Sequence, residues 1–135
     1  MIFDEAFFDR LTEQAKASPR LRMNFNLHES HDSKAQRLFN ALEPGTFLPI
    51  HRHVATDETF IVLRGKLRVT FYDDNGVPAE IFDLEPAAKK YGCQIPKNVW
   101  HSFEVLATGT AILEIKDGPY TPVAPENILE PKGKR

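Results

Sequence analysis

The sequence predicts an all-β domain, a sandwich or small barrel, behind one N-terminal helix. Three observations carry this. From Leu21 to His28 the segment "LRMNFNLH" alternates strictly, with Leu21, Met23, Phe25 and Leu27 on one face and Arg22, Asn24, Asn26 and His28 on the other. Short strand-like runs then recur within about 100 residues, each bounded by turn residues. No second long helical pattern interrupts them.

The helix is predicted over Asp4 to Ser18. Phe3, Phe7, Phe8, Leu11 and Ala15 recur at helical spacing, Asp4 can cap the start and Pro19 stops it. After the alternating strand, further strands are predicted over Gln36–Leu42, Thr46–His53, Glu58–Leu63, Lys66–Tyr72, Glu80–Leu84, Val99–Leu106 and Thr110–Lys116. Pro44-Gly45, Arg64-Gly65, Asp73-Asp74-Asn75-Gly76, Lys97-Asn98 and Thr108-Gly109 supply the turns. The tail from Thr121 to Arg135 holds three prolines, ends in Lys-Gly-Lys-Arg and reads as irregular and partly disordered. The expected organisation is a helix over residues 1–20 packing on a barrel over 21–120, followed by a tail over 121–135.

Length and composition narrow the function. The 135 residues suit one core. The net charge of -2 mixes both signs without a basic stripe, which argues against nucleic acid. No apolar run approaches the ~20 residues of a membrane helix. The acidic start "MIFDEAFFDR" is unlike a secretory signal. Cys93, the only cysteine, has no internal disulfide partner, so a reduced, cytoplasmic setting is the expectation.

Two of the five histidines flank one arginine in "HRH", His51 to His53. On a strand, residues i and i+2 share a face, so both imidazoles point one way, about 6–7 Å apart. That is half of a metal site. Glu58 follows five residues later, where a bend through "VATD" can return its carboxylate to the same point. His101 lies on a distant strand that a barrel can close beside the first. Three imidazoles and a carboxylate suit a borderline divalent ion: Fe, Mn, Co, Ni, Cu or Zn. A six-coordinate ion would keep two positions for water or substrate. Taken alone, His-x-His more often marks surface or packing residues than a metal site.

The spacing carries a resemblance. Gly45, His51-Arg52-His53, Glu58 and Gly65 fit the first cupin motif at every marked position. Pro96, Asn98 and His101 resemble the second motif, with Asn98 in place of a glycine and Val105 where an asparagine often stands. Asparagine tolerates the left-handed turn that position requires. The resemblance implies a double-stranded β-helix barrel, or jelly-roll, in which His51, His53, Glu58 and His101 converge on one metal. Over about Arg22 to Pro122, "RMNFNLHESHDSKAQRLFNALEPGTF", the "HRH" block and "EIKDGPYTP" resemble the WbuC-type cupin proteins of bacterial O-antigen and other surface-polysaccharide gene sets. This implies a sugar-related setting and no particular reaction.

Other residues are candidates for lining the site. The polar face of the first strand is rich in asparagine, which strands usually avoid, so Arg22, Asn24 and His28 are expected at a polar barrel mouth. Arg22 would suit a carboxylate or phosphate. His28 is the candidate general base, because Glu58 is taken as a ligand. Tyr120 is a candidate substrate contact from its turn. Glu114 and Lys116 share a face, as an exposed pair or as pocket residues. Arg52 and Trp100 are expected to point away from the metal, His31 to be exposed and Cys93 to be inert.

Three functions compete. The first is a metal-dependent isomerase, epimerase or oxygenase acting on a sugar, sugar nucleotide or other small polar molecule. The second is a non-catalytic cupin that binds a sugar or another small ligand. The third is a metal-free cupin epimerase using a histidine and a tyrosine, against which the intact ligand set speaks. Unpaired strand edges make a homodimer the expected assembly.

Overall fold

Asp4 opens the helix as expected: its carboxylate accepts from the Phe7 N–H at 3.0 Å, answering one of the free donors of the first turn. Helix α1 runs Glu5–Ala17 and ends at Ser18, ahead of Pro19. The structure, a computed structural model, describes residues 1–129. Ten strands follow: β1 (Arg22–Asn26), β2 (Ala35–Leu42), β3 (Ile50–His51), β4 (Glu58–Arg64), β5 (Leu67–Tyr72), β6 (Pro78–Leu84), β7 (Gly92–Ile95), β8 (Trp100–Val105), β9 (Thr110–Asp117) and β10 (Ile128–Leu129). They form two five-stranded antiparallel sheets, ordered β1-β2-β9-β4-β7 and β10-β3-β8-β5-β6.

Two apolar cores follow from the strand alternation. Between the sheets, Leu42, Phe60, Val62, Leu67, Val69, Ile95 and Ile112 are buried together and fill one end of the barrel. Outside, α1 lays Phe7, Phe8, Leu11 and Ala15 on Phe39, Ala41 and Ala111, with Met23, Phe25 and Leu27 packed beside them. The apolar face of β1 is thus turned out to the helix. Its polar face, with Arg22 and Asn24, is left on the inner side. Arg64 fastens α1 to the sheet, donating to Glu5 Oε2 at 3.0 Å, Asp9 Oδ1 at 2.8 Å, Thr12 Oγ1 at 3.0 Å and the Gly109 carbonyl at 2.8 Å.

Two motif positions have a backbone reason. Gly65 lies at φ +87°, and a Cβ there would collide with the backbone and side chain of Thr110. Asn98 lies at φ 68°, the left-handed turn expected of it. Its N–H donates to the His53 carbonyl at 2.8 Å, tying the two motifs together.

Three elements differ from the sequence reading. The strand expected over Thr46–His53 shrinks to Ile50–His51, because Pro49 has no N–H for a ladder. Gly92–Ile95 forms a strand whose glycine start and mixed "GCQI" composition gave little β signal. The tail is ordered further than expected: Pro125–Asn127 form a 3-10 turn, and β10 pairs with β3, Ile128 opposite His51. The terminal Lys-Gly-Lys-Arg lies outside the described residues.

Candidate metal centre

His51 on β3 and His101 on β8 are direct cross-strand partners, which sets their rings side by side with centroids 4.3 Å apart. His53, just beyond β3, turns back to place its ring 5.0 Å from that of His51. Glu58 begins β4 on the facing sheet. One ring nitrogen from each of His51, His53 and His101 lies within 4.8 Å of the others. Glu58 Oε1 faces them, 3.4 Å from His101 Nε2 and 3.6 Å from His53 Nε2. Three imidazoles therefore stand together, with the Glu58 carboxylate beside two of them.

The orientation of the rings bears on whether they fit a metal. His51 Nδ1 lies 2.9 Å from the Pro49 carbonyl, and His101 Nδ1 lies 3.0 Å from the Val99 carbonyl. A carbonyl only accepts, so both Nδ1 atoms carry the proton and both Nε2 lone pairs are free. His101, 1% exposed, has no hydrogen-bond partner for Nε2, and Glu58, 8% exposed, has none for Oε1. Buried polar atoms without partners are costly. A divalent cation would satisfy both at once.

The electrostatics agree. Burial pushes His51 below the usual histidine range and His53 down to about 4, against the pull of Glu58. Burial opposes ionisation of Glu58, yet the imidazoles around it hold its pKa below the ordinary carboxylate value. Near neutrality His51 and His53 are neutral imidazoles beside the Glu58 carboxylate, the protonation state that binds a divalent ion. Cys93, half-buried with its thiol pushed up to about 11 by burial and by Glu58, is an inert thiol.

His51 and Glu58 stand in the wall of a cavity of about 250 Å³, shared with Arg20, Arg22, Asn24, Asn40 and Glu114 and floored by Phe60 and Phe103. His53 and Lys116 help line a second cavity of about 440 Å³ beneath residues 117–127. A crevice of about 470 Å³ between α1 and the Gly65 and Gly109 turns holds no member of the cluster.

Arg22 and Asn24 line the first cavity. His28 lines neither cavity. Its Nδ1 lies 3.0 Å from the Arg37 nitrogen and 2.9 Å from the Arg37 carbonyl, because β1 ends at Asn26 and the chain turns away before His28. Tyr120 also lies outside both; its ring packs on exposed His31 at 4.6 Å. Arg52 points away as expected, its guanidinium 4.2 Å from the centroid of Trp100, whose Nε1 donates to Asp74. Asn40 was missed because a lone asparagine in "QRLFNAL" reads as a solvent-side residue. The sequence alone leaves Glu114 either exposed or in a pocket; register sets it opposite Phe60 and Leu38, on the inner face.

The jelly-roll of two antiparallel sheets and its inward histidine cluster define a cupin barrel. The chain belongs to the family described as a domain of unknown function, DUF6016, whose model matches residues 3–84. That span includes His51, His53 and Glu58 and stops short of His101. Among solved structures, the chain is similar to KdgF from a Halomonas species, with TM-score 0.60 and 15% identity over 77% of this chain and 84% of that one. It is similar to the capsular polysaccharide assembling protein CapF from Staphylococcus aureus, with TM-score 0.61 and 21% identity, covering 78% of this chain and 28% of that one. A cupin-2 domain containing protein from Shewanella frigidimarina matches with TM-score 0.53 and 25% identity over 70% of this chain and 79% of that one. No curated protein matches the chain. These likenesses carry the fold.

Proposed function

We propose that the protein is a metal-dependent cupin enzyme of the WbuC type, acting on a small polar substrate such as a sugar or sugar derivative in surface-polysaccharide metabolism. One observation carries the reading: His101 Nε2 and Glu58 Oε1 are buried, unpartnered and aimed at one another beside a polar cavity. A structural metal site would be closed by its protein ligands, whereas this one opens on a cavity. His51, His53, Glu58 and His101 would hold one divalent ion among Fe, Mn, Zn, Ni, Co and Cu. When bound, that ion supplies Lewis-acid polarisation of a substrate carbonyl or hydroxyl, or oxygen chemistry if it is iron.

The chain's own residues do the rest. The Pro49 and Val99 carbonyls hold two imidazoles in the metal-binding tautomer. Phe60 and Phe103 dry the cavity floor. Arg22 and Asn24 present donors at its mouth. A reduced intracellular setting belongs to the proposal, supported by the lone thiol; among the described residues no helix is long and apolar enough to cross a membrane. A homodimer also belongs to it, supported by edge strand β6, whose Ile81 is 59% exposed.

The test is a panel of hexoses, hexose phosphates, hexuronates and nucleotide sugars, followed by NMR with metal-loaded and chelator-stripped protein. The expected result is conversion of at least one member that stops on stripping and in His101→Ala. A ligand recovered unchanged after stoichiometric binding would replace this reading with a binding module. Conversion that persists without metal would replace it with the metal-free epimerase.

A further inference from the structure

The cavity wall across from the histidines carries polar groups that nothing in the fold accounts for. Asn40 on β2 and Glu114 on β9 meet on the inner face, where the Asn40 amide donates to Glu114 Oε2 at 3.0 Å. Asn40 Oδ1 is buried with no hydrogen-bond partner. Turning the amide over does not remove the problem: one of its polar atoms faces Glu114 and the other still lacks a partner. Burial, reinforced by Glu58, pushes Glu114 up to about 8, so near neutrality it offers a proton as well as a lone pair.

The mouth of the same cavity is cationic. Arg20 and Arg22 both line it. Arg64 and Arg68 pair with carboxylates, but neither Arg20 nor Arg22 forms an ion pair among the described residues. Arg22 Nη1 has only the Phe47 carbonyl, at 3.3 Å. The turn between the two arginines is pinned: Leu21 sits at φ 58°, and its carbonyl accepts from the Glu43 N–H at 2.9 Å and Thr46 Oγ1 at 2.6 Å. A leucine held in the left-handed region is strained, and such strain persists where the surroundings enforce it.

We infer that this wall reads one small anionic, hydroxyl-bearing molecule, a sugar acid or sugar phosphate, with Arg22 taking the anion and Asn40 and Glu114 taking hydroxyls. The inference rests on the proposed function in setting that molecule beside the metal centre. A guanidinium matches a carboxylate or phosphate through paired hydrogen bonds. A hydroxyl both donates and accepts, which suits an amide and a carboxyl that each have one group to spare. A site built on such groups rejects analogues that leave them unpaired. The volume limits the size: about 250 Å³ lies below the ~300–1,000 Å³ of pockets for larger ligands. A single sugar ring fits inside; the nucleotide of a sugar nucleotide does not.

Calorimetric titration of metal-loaded protein with glucuronate, glucose 6-phosphate, glucose and UDP-glucose tests this. Glucuronate or glucose 6-phosphate should bind at least about tenfold more tightly than glucose; which of the two wins separates carboxylate from phosphate. Arg22→Gln should erase that preference. Asn40→Leu and Glu114→Gln should each weaken the preferred anion about tenfold while metal content stays at the wild-type level. Glu114→Gln keeps the test alive if Asn40→Leu fails to fold. Equal binding of glucose and the anions, tightest binding of UDP-glucose, or no sugar binding at millimolar concentration would each overturn the inference. Protein that takes up no metal sinks the proposed function; protein that holds metal yet shows none of these preferences sinks this reading alone.

Discussion

His101 has one nitrogen on the Val99 carbonyl and the other, buried, on nothing. The neighbouring rings are shifted by burial, and this has a consequence in pH. His53 titrates at about 4 in the fold against 6.5 for the free side chain. Below pH 6.5 the unfolded chain takes up this proton first, so this part of the stability of the metal-free protein is intact above 6.5 and is lost as pH falls towards 4. Glu114, raised to about 8 from 4.5, acts oppositely: its contribution falls as pH rises between those values. Denaturant titrations of metal-free protein at pH 7 and pH 5 resolve the two. The wild type should lose stability relative to His53→Gln on going to pH 5, and gain it relative to Glu114→Gln. A His53→Gln difference that does not change with pH would contradict the neutral-imidazole reading. At this scale the grouping of the three histidines and Glu58 was legible, because His-x-His, the acid and the distant histidine are fixed by spacing. Asn40 was not, since its meaning comes from burial against Glu114. His28 misled because alternation predicts a face but not where a strand ends.

Helix α1 decides what β1 means. Without it, the Met23, Phe25 and Leu27 face of β1 would be read as facing the barrel core and the arginine and asparagine face as facing water. With α1 on the outer surface, the apolar face turns out and Arg22 and Asn24 line the cavity. The aromatic cluster that holds the helix is dense: the Phe7 ring lies 5.1 Å from those of Phe3, Phe8 and Phe25, all edge-to-face. Phe7→Ala should cost about 3–5 kcal/mol, as other deletions of buried aromatic rings do. Because the cluster lies outside the barrel, metal content should hardly change. Chemical denaturation with elemental analysis of the same preparation checks both; metal loss in step with stability would mean the two cores are one. The helix itself was readable from its cap and period. The short β3, by contrast, shows proline cutting an expected strand short, and β7 shows a strand formed by its neighbours rather than by its own composition.

Across the whole molecule, the two sheets do what no single motif can. They bring His51 and His101, fifty residues apart in the sequence, into direct register and set Glu58 opposite from the other sheet. The many turns between short strands announced an all-β domain, and the motif spacing announced which barrel. What spacing could not announce was the strand that closes beside His51, where the tail docks as β10 and Asn127 accepts from Arg52 Nε at 2.9 Å. That docking comes from tertiary contacts, not from any strand pattern in a proline-bearing segment.

The most direct measurement is elemental analysis of the native protein, purified without chelator and supplied with divalent ions, beside His51→Ala and His101→Ala. The expected result is about one transition-metal ion per chain in the wild type and loss of most of it in both variants, whose folds are checked by circular dichroism. Wild-type protein that stays well below one ion per chain, or variants that hold metal as the wild type does, would contradict a shared centre built from His51, His53, Glu58 and His101.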